Sequence, residues 1–357
     1  MPVIEIDQVG HIGPRNDITD VAGMRVGHCT RDDEGWLTGT TVVVAPTGTV
    51  GGVDVRGGGP STRETDALAP TTLVGAVHAV CLSGGSSYGL AAADGVMERL
   101  GASGVGVAVG TEARMVVPIV PAACLFDLRP GAAFERRPDA DFGRAAFDAA
   151  TGGPVAQGNV GAGTGAHAGS LKGGVGSAST LLNSGATVAA LVALNAGGNV
   201  IDPATGDLYG RRHGLGGEFA HLRVPSPENA AAAFADTADP WPRNTVLVVV
   251  ATDARLDKSA CCRVAMAAHD GLARAVSPVH CLTDGDVVFT LATGAIDPEV
   301  DGPSGSVFAG SGRLALLETL MAAAANAVTR AVVHAVLAAR SVEHLTSYLD
   351  RYPSARV

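Results

Sequence analysis

Short runs of aliphatic and β-branched residues alternate along the chain with longer alanine-rich stretches. Runs of four to eight such residues, bounded by glycine, proline or polar residues, are typical of strands that are buried on both faces. We predict six buried strands: Thr41–Ala45, Ala76–Leu82, Gly104–Val109, Thr187–Leu194, Val246–Ala251 and Val287–Ala292. Strands and helical stretches are mixed along the chain, so the pattern predicts α+β or α/β layers.

The alanine-rich stretches carry apolar residues at helical spacing. In SYGLAAADGVMERL, Leu90, Ala93, Met97 and Leu100 would lie on one face of a helix. We predict three such helices: Ser87–Leu100, Lys258–Val276 and Arg313–Arg340. Because they carry little charge, we expect them to pack on a sheet or on another subunit.

Residues 223–244, RVPSPENAAAAFADTADPWPRN, interrupt this pattern. The segment has four prolines and few aliphatic residues, and only a short helix at Glu228–Phe234 is expected in it. Proline removes a backbone donor that a helix or a sheet would use, so we expect an exposed connector. Connectors this long are usually functional or flexible. This one leads directly into the strongest strand signal of the chain, after the Asn244–Thr245 bond.

Composition narrows the classes of function. The 357 residues include 25 Lys+Arg and 35 Asp+Glu, a net charge of −10, and no basic run. Nucleic acid and anionic membrane are therefore unfavourable partners. The six cysteines lack CxxC spacing, so they indicate no disulfide scaffold, and Cys81 and Cys124 are expected to be buried. We see neither a signal peptide nor an uninterrupted bilayer-spanning run, and expect a cytoplasmic protein.

Thr245 is the first candidate nucleophile. A threonine hydroxyl needs a base before it can attack a carbonyl group. If the Asn244–Thr245 bond were cut, the new α-amine, with an ordinary pKa of about 7.7–8.0, would supply that base. The first position of a stiff buried strand would also hold the hydroxyl in place. The alternative is that Asn-Thr only opens a strand.

Ser87 is the second candidate. Gly85-Ser86-Ser87-Tyr88-Gly89 matches G-x-S-x-G between a predicted strand and a predicted helix, which is the context of a nucleophile elbow. Aspartates and histidines follow in the chain, so a Ser–Asp–His order is available. The alternative is a glycine-rich turn in which Ser86 or Ser87 caps the helix.

Asp284-Gly285-Asp286 and Asn195 both adjoin predicted strands. Asp-Gly is a turn signal, but two carboxylates beside a strand end can also orient a nucleophile and its amine. The calcium pattern D-x-D-x-D-G is absent from this segment, and we predict no metal site. Asn195 closes a strand before Gly-Gly, either as a turn residue or as an amide donor to an oxyanion.

Lys172 is one of only two lysines, and it lies in the uncharged glycine-rich stretch GAGTGAHAGSLKGGVGSAS. It is either an exposed loop cation or a cation directed at a reaction centre or a substrate carboxylate. The stretch fits neither the phosphate-binding pattern G-x-x-x-x-G-K-[ST] nor the dinucleotide pattern G-x-G-x-x-G, and we predict no cofactor.

Taken together, these motifs resemble the DmpA-type self-processing aminopeptidases, which include β-peptidyl aminopeptidases and nylon-oligomer hydrolases. The resemblance runs from Ile18 to the C-terminal helix. Its segments are GVDVRGGGPSTRETD (52–66), CLSGGSSYGLAAADGVM (81–97), VPIVPAACLFDL (117–128), LKGGVGSAS (171–179), NTVLVVVATDA (244–254) and DGDVVF (284–289).

The resemblance implies a four-layer αββα sandwich, related to the N-terminal-nucleophile hydrolases and to the ornithine acetyltransferases, over a single domain 1–357. It implies self-cleavage between Asn244 and Thr245 into an α chain 1–244 and a β chain 245–357. The two chains are expected to stay associated within a homo-oligomer, most simply a tetramer.

The resemblance also assigns roles by position. Thr245 matches the nucleophile, Asp284 and Asp286 match the residues that polarise it, Asn195 matches the oxyanion donor, and Lys172 matches a lysine of the nylon-hydrolase branch.

Ser86 and Tyr88 lie on a turn expected near the substrate pocket, so Ser87 is not expected to be the nucleophile. Phe126 stands where some members of the family have tyrosine, so no hydroxyl donor is expected there. The implied activity is aminopeptidase-like hydrolysis of a small amide or a short peptide through an acyl-enzyme.

Two alternatives stay open: an acyltransferase of the ornithine-acetyltransferase type, and an uncleaved binding protein without enzymatic activity. The substrate also stays open among amino-acid amides, D-amino-acid amides, β-peptides and 6-aminohexanoate oligomers.

Overall fold

The computed structural model describes residues 10–128, 132–233, 244–297 and 311–357. Its strands are β1 (Gly10–Ile12), β2 (Arg25–Arg31), β3 (Thr38–Val44), β4 (Val50–Val55), β5 (Thr62–Arg63), β6 (Ala79–Ser83), β7 (Val107–Ala108), β8 (Val116–Val117), β9 (Ala122–Cys124), β10 (His167–Ala168), β11 (Leu171–Lys172), β12 (Gly174–Leu182), β13 (Thr187–Leu194), β14 (Leu247–Ala254) and β15 (Val287–Ile296). Its α-helices are α1 (Ala92–Ala102), α2 (Ala140–Asp148), α3 (Pro227–Ala233), α4 (Lys258–Ala275), α5 (Ser311–Ala338) and α6 (Tyr348–Arg351).

Two large sheets organise these strands. The first sheet has the order β1–β12–β13–β14–β15–β4, and the second sheet has the order β2–β3–β6–β9–β5. Neighbouring strands of the first sheet are antiparallel except for β14 and β15, which run parallel. In the second sheet, β6 and β9 form the parallel pair.

The sheets face each other across an inner core, and helices cover both outer faces. On the side of the second sheet, Leu82 and Leu125 pack in one cluster with Leu191 and Phe289 of the first sheet. Helices α4 and α5 cover the outer face of the first sheet, and α1 and α2 cover that of the second. The predicted α+β fold, a four-layer αββα sandwich, is confirmed.

Strand β14 shows why the central strands read as unbroken apolar runs. Its residues Leu247 and Val249 face the inner core, while Val248 and Val250 face α4 and α5. Successive side chains of a strand point to opposite faces, so a strand buried on both faces needs apolar residues throughout. The predicted strands that overlap β3, β6, β13, β14 and β15 are confirmed for this reason.

One strand prediction was wrong, and one long buried strand was not predicted. The buried strand expected at Gly104–Val109 is a two-residue strand, β7, in an exposed hairpin with β8, and Val109 is 65% exposed. Strand β12, by contrast, was missed because GVGSASTLL lacks an aliphatic run, yet it is buried. A Cβ on Gly176 would lie 2.1 Å from the Ala331 carbonyl oxygen, so glycine lets α5 approach the sheet.

Helix α5 is long and apolar enough to cross a membrane by composition. However, 78% of the most apolar window within Gly312–Ala338 is buried inside the protein, as in a core helix. The fully buried Arg330 lies in this helix and is bonded to Glu218. The three predicted long helices are confirmed, with α1 beginning at Ala92 after a 3₁₀ turn at Ser86–Ala91.

The connector before Thr245 is described in part. Helix α3 matches the described portion of the short helix expected at Glu228–Phe234, whereas Phe234 and the rest of 234–243 lie outside the described residues. Cys81 and Cys124 are buried as predicted. The single domain 1–357 stays a prediction.

Candidate active site

The topology of the first sheet brings the predicted site residues to one edge. Strand β13 is antiparallel to β14, so Asn195, just after β13, lies beside Thr245, just before β14. Strands β14 and β15 are parallel, so Asp284 and Asp286, just before β15, lie at the same edge. Lys172 joins them there because Gly174, at the start of β12, pairs with Leu194.

Thr245 lies buried beside the carbonyl group of the preceding residue. Its backbone N–H donates to the Asn195 carbonyl oxygen at 2.7 Å, which fixes the residue between two strands. Its hydroxyl donates to the Asn244 carbonyl oxygen at 2.5 Å. The same oxygen accepts the backbone N–H of Gly285 at 3.0 Å. One carbonyl group therefore meets both a hydroxyl and a fixed N–H donor.

Asp284 has one carboxylate oxygen that is not used. Its Oδ2 accepts the Cys281 N–H at 2.8 Å, whereas its buried Oδ1 has no hydrogen-bond partner among the described residues. Asp284 Oδ1 and Asn244 Nδ2 both lie next to Gly197. A Cβ on Gly197 would be 3.0 Å from Oδ1 and 2.7 Å from Nδ2. Burial raises the pKa of Asp284, and the Asp286 charge adds to that increase, although the Cys281 N–H opposes it.

Asp286 differs from Asp284 because both its oxygens are engaged. Its Oδ1 accepts the backbone N–H of Val246 at 2.8 Å. Its Oδ2 accepts two hydrogen bonds from His280, one from the ring nitrogen Nδ1 at 2.7 Å and one from the backbone N–H at 3.2 Å. Asp286 therefore holds the residue that follows Thr245, and it is itself held by His280.

Asn195 links the two sheets. Its Nδ2 donates to the Phe126 carbonyl oxygen at 3.1 Å, and its Oδ1 accepts the His167 N–H at 3.1 Å. Phe126 follows β9 of the second sheet. It has no hydroxyl group, as expected, and it contributes its backbone carbonyl oxygen as the acceptor for Asn195. One N–H of the Asn195 amide is used in this way, and the other is available to a second acceptor.

Lys172 is fully buried, so the alternative of an exposed loop cation was wrong. Its ammonium donates to the carbonyl oxygens of Gly163 and Gly173, both at 2.8 Å. Burial lowers the pKa of Lys172 to about 7, although the charge of Asp127 opposes that decrease. A buried lysine with this pKa changes its charge near neutral pH, which is typical of functional sites.

Asp127 is a site residue that sequence reasoning missed. It follows β9, and its oxygens accept the Thr38 hydroxyl at 2.6 Å and the Gly85 N–H at 2.7 Å. Burial raises the pKa of Asp127 to about 6. It lies in the segment 117–128 that carries the resemblance, but its local sequence assigns it no role, because Thr38, Gly85 and Lys172 reach it only through the tertiary fold.

The turn that contains Ser86 and Tyr88 is tied to Asp127 through the backbone N–H of Gly85. Gly85 and Ser86 both have left-handed φ angles, 82° and 54°. Tyr88 is 56% exposed and lies under the Arg137 guanidinium, whose Cζ is 3.7 Å from the ring centroid. The Ser61 hydroxyl donates to the Ser87 hydroxyl at 3.0 Å, and neither serine of the turn caps helix α1.

Two further residues of the site carry no independent sequence signal. In the sequence Gly285 stands only at the centre of Asp-Gly-Asp, and its role as an N–H donor depends on the pairing of two distant segments. His280 lies in no motif. Among the described ranges, no group of three or more His, Cys, Asp or Glu side chains is arranged to hold a metal ion.

Comparisons with known proteins match this chain over most of its length. The model of Peptidase family S58 matches residues 16–348. An uncharacterized aminopeptidase of Mycobacterium tuberculosis is 50% identical over 353 residues, covering 95% of this chain and 99% of the relative. A 6-aminohexanoate-oligomer endohydrolase of Kocuria sp. is 32% identical over 324 residues, covering 87% and 82%. The structure of a Burkholderia sp. beta-aminopeptidase is similar with a TM-score of 0.69 at 27% identity, covering 96% and 93%.

Proposed function

The chain belongs to peptidase family S58, and on that premise we propose that it is a self-processing amide hydrolase whose nucleophile is Thr245. The family and the 50% identical aminopeptidase relative make the chain a hydrolase that acts on peptide bonds. The proposal adds the residue that attacks and the cleavage that activates it.

The observation that carries the proposal is the pair of donors on the Asn244 carbonyl oxygen, the Thr245 hydroxyl at 2.5 Å and the Gly285 N–H at 3.0 Å. In self-cleavage, Thr245 Oγ1 attacks the Asn244 carbonyl carbon, and the Gly285 N–H stabilises the oxyanion. The C–N bond breaks, the nitrogen takes up the proton that the Thr245 hydroxyl has lost and becomes the free α-amine, and an ester remains. Water hydrolyses that ester to the Asn244 carboxylate and the Thr245 hydroxyl.

In the mature enzyme the new α-amine accepts the proton of its own hydroxyl as Oγ1 attacks a substrate amide. The second N–H of the Asn195 amide stabilises the oxyanion, and the leaving amine takes the proton. Asp284, with its unused oxygen, orients the α-amine, and Lys172 adds positive charge to the region. Water then releases the acyl group and regenerates Thr245.

The proposed substrate is a small amide or a short peptide. The relatives are named as an uncharacterized aminopeptidase, a beta-aminopeptidase and a 6-aminohexanoate-oligomer endohydrolase, and these names describe hydrolysis of amide bonds. The turn with Ser86, Tyr88 and the cation over its ring is proposed to contact the substrate. A panel of amino-acid amides, D-amino-acid amides, β-peptides and 6-aminohexanoate oligomers identifies the class, and added amine acceptors separate hydrolysis from acyl transfer.

The two chains are proposed to stay together after cleavage. Strand β14 of the β chain pairs with β13 of the α chain, and both lie in the core of the sandwich. We also propose a cytoplasmic homo-oligomer, with a tetramer as the expected size. Light scattering on the cleaved protein measures that size directly.

The nucleophile is tested with Thr245→Ala and Thr245→Ser. Thr245→Ala should remain one chain and hydrolyse no amide, whereas Thr245→Ser keeps a hydroxyl and should still cleave. Denaturing electrophoresis over time, followed by assay on the substrate panel, measures both. Cleavage of Thr245→Ala at the same bond would contradict the proposal, because another protease would then be responsible.

A further inference from the structure

We propose that His280 is a positioning residue for Thr245 that acts through Asp286. The inference rests on the proposed function, because it concerns the placement of the nucleophile. His280 belongs to none of the motifs in the sequence, and its side chain reaches Asp286, not Thr245.

The side chain and backbone of His280 both hold one oxygen of Asp286. Nδ1 lies 2.7 Å from Asp286 Oδ2, and the His280 N–H donates to the same oxygen at 3.2 Å. A hydrogen bond from Nδ1 to a carboxylate places the ring proton on Nδ1. The other oxygen, Oδ1, is thereby kept on the Val246 N–H at 2.8 Å. Val246 follows Thr245 directly, so the chain of contacts ends at the nucleophile.

The conformation of His280 is the second observation. Its φ is +56°, a left-handed conformation that non-glycine residues seldom adopt. Such conformations persist where the surrounding structure demands them, and they concentrate at functional sites. Here the left-handed turn points the backbone N–H and the ring Nδ1 of His280 at the same carboxylate oxygen.

A second histidine fixes the ring of His280 from helix α4. The His269 and His280 rings meet edge to face with centroids 4.7 Å apart. His269 Nε2 in turn lies 3.1 Å from the Asp54 carbonyl oxygen. Burial lowers the pKa of His269 to about 4, so His269 is neutral at pH 7 and presents an uncharged ring to His280.

The titratable and charged groups around His280 come from three elements. Its own loop contributes Cys281, Asp284 and Asp286, helix α4 contributes His269, and strand β4 with its following residue contributes Asp54 and Arg56 through His269. The buried Nε2 of His280 has no hydrogen-bond partner among the described residues. Among the described residues, the hydrogen bonds of the His280 ring and of its backbone N–H both go to Asp286.

The expected consequence is kinetic. Without the Nδ1 donor, Asp286 Oδ2 is held by the 3.2 Å backbone N–H of residue 280 alone, so the carboxylate is fixed less firmly on the Val246 N–H. Misplacement of a reacting group by about 1 Å can cost about 100-fold in rate. Because His280 touches no substrate, its loss should lower kcat and the rate of self-cleavage and leave KM nearly unchanged.

Two substitutions separate the side-chain donor from the backbone conformation. Both glycine and asparagine accept a left-handed φ. His280→Gly removes the donor, whereas the amide of His280→Asn can still donate to Asp286. We expect His280→Gly to lower kcat and the self-cleavage rate by about 10- to 100-fold with KM within about threefold, and His280→Asn to retain at least about a third of wild-type kcat.

His280→Asp serves as a third variant. Aspartate has the same shape as asparagine, but its carboxylate cannot donate a hydrogen bond to Asp286. It should be at least as slow as His280→Gly, so His280→Asn against His280→Asp decides the matter if the glycine variant does not fold. Rates are expressed per folded, cleaved molecule, with cleavage counted by intact mass.

A double variant with Asp286→Asn gives the final check. If His280 acts through Asp286, adding His280→Gly to Asp286→Asn should lower kcat no further than Asp286→Asn does alone. Wild-type kcat in His280→Gly, equal losses in the asparagine and aspartate variants, or an effect confined to KM would overturn the inference. If wild-type protein is not cleaved before Thr245, the proposed function fails independently of His280.

Discussion

The backbone N–H of Gly285 donates a 3.0 Å hydrogen bond to the carbonyl oxygen of Asn244. The two residues are 41 positions apart in the sequence (285 − 244), and the parallel bridge between Asn244 and Asp284 brings them together. A carbonyl oxygen that already accepts a rigid N–H is prepared for the negative charge that develops when the carbon is attacked.

Gly285→Ala should slow self-cleavage. A Cβ at this position would lie 2.6 Å from the Thr245 hydroxyl and 2.8 Å from the Gly59 carbonyl oxygen, so the hydroxyl must move. We expect the rate of precursor cleavage to fall by about 10- to 100-fold, because a displaced nucleophile loses its attack geometry. A time course on denaturing gels measures it.

Gly75→Ala is the matched control for Gly285→Ala. No heavy atom lies within 4 Å of a Cβ on Gly75, so the same chemical change there meets no neighbour. Wild-type cleavage in both variants would mean that the Thr245 hydroxyl does not need its observed position.

Asp284→Asn and Asp286→Asn should change stability in opposite directions. Burial penalises the charged form of Asp284 and raises its pKa, so the amide removes a cost that is present at pH 7. The penalty is absent below the unfolded pKa of about 3.9, where the carboxyl is protonated in both states. We therefore expect Asp284→Asn to raise the unfolding midpoint at pH 7, and the gain to vanish towards pH 4.

Asp286→Asn should lower the midpoint, because an amide NH₂ would face a donor from Val246 or His280. Leaving a buried donor without an acceptor costs about 1–3 kcal/mol.

Despite its gain in stability, Asp284→Asn should lose at least about 100-fold in kcat if its carboxylate orients the α-amine. Calorimetry and steady-state kinetics give both numbers; a common direction of the two midpoint shifts, or an active Asp284→Asn, would disprove this assignment.

Lys172→Met should remove a pH dependence of stability. Burial lowers the pKa of Lys172 from its ordinary value near 10.4 to about 7 in the folded protein. The unfolded chain then binds more protons between pH 7 and 10, so this group makes the folded state more stable as pH rises through that window. The unfolding midpoint of wild type minus that of Lys172→Met should therefore rise from pH 7 to pH 10.

The second lysine provides the comparison for Lys172→Met. Lys258→Met replaces a partly exposed side chain that binds Thr72 and Ala67 at the surface. If the two methionine variants show the same pH profile of the midpoint, the buried position of Lys172 is not the source of the effect.

Glu218→Gln should destabilise the fold without touching the site. Glu218 bonds Arg330 and His334 of helix α5 and the Asn16 amide. Burial alone would raise its pKa, but the hydrogen bonds from His334 and Arg330 hold the pKa at about 2. Breaking one side of a buried ion pair costs about 3–5 kcal/mol.

The stabilisation by Glu218 is present above the unfolded pKa of about 4.3 and is lost as pH falls through about 2. Denaturant unfolding at pH 7 and pH 3 should show the gap between wild type and Glu218→Gln narrowing in acid. Asp297→Asn, which breaks an exposed pair with Arg255, should change stability by less than about 1 kcal/mol. A Glu218→Gln effect no larger than that control would contradict the assignment.

The central strands were predictable because their physical requirement is local. Thr187–Leu194 coincides with β13, and the starts of β14 and β15 were found within one residue. Strands buried on both faces need apolar residues throughout, so a single run of sequence reports them. Since these strands bring Asn195, Thr245 and Asp284 to one edge, much of the candidate site could be expected from the strand ends.

The remaining features depend on contacts that no local pattern encodes. Strand β12 was missed because Gly176 interrupts its apolar residues, and glycine is needed there for the close approach of helix α5. Gly104–Val109 was wrongly predicted as a buried strand because its apolar residues lie in an exposed hairpin. Asp127 and His280 meet their partners only in the folded chain. Ser87, by contrast, matched a local motif whose expected partners are absent from its described contacts, where it meets Ser61.

The most direct test of self-cleavage before Thr245 is the intact mass of denatured wild-type protein, measured fresh and after ageing in buffer. Self-cleavage should give two species, residues 1–244 and 245–357, with amide hydrolysis rising in step with their appearance. A single species of 357 residues that hydrolyses amides at full rate would contradict it, because the Thr245 α-amine would then never form.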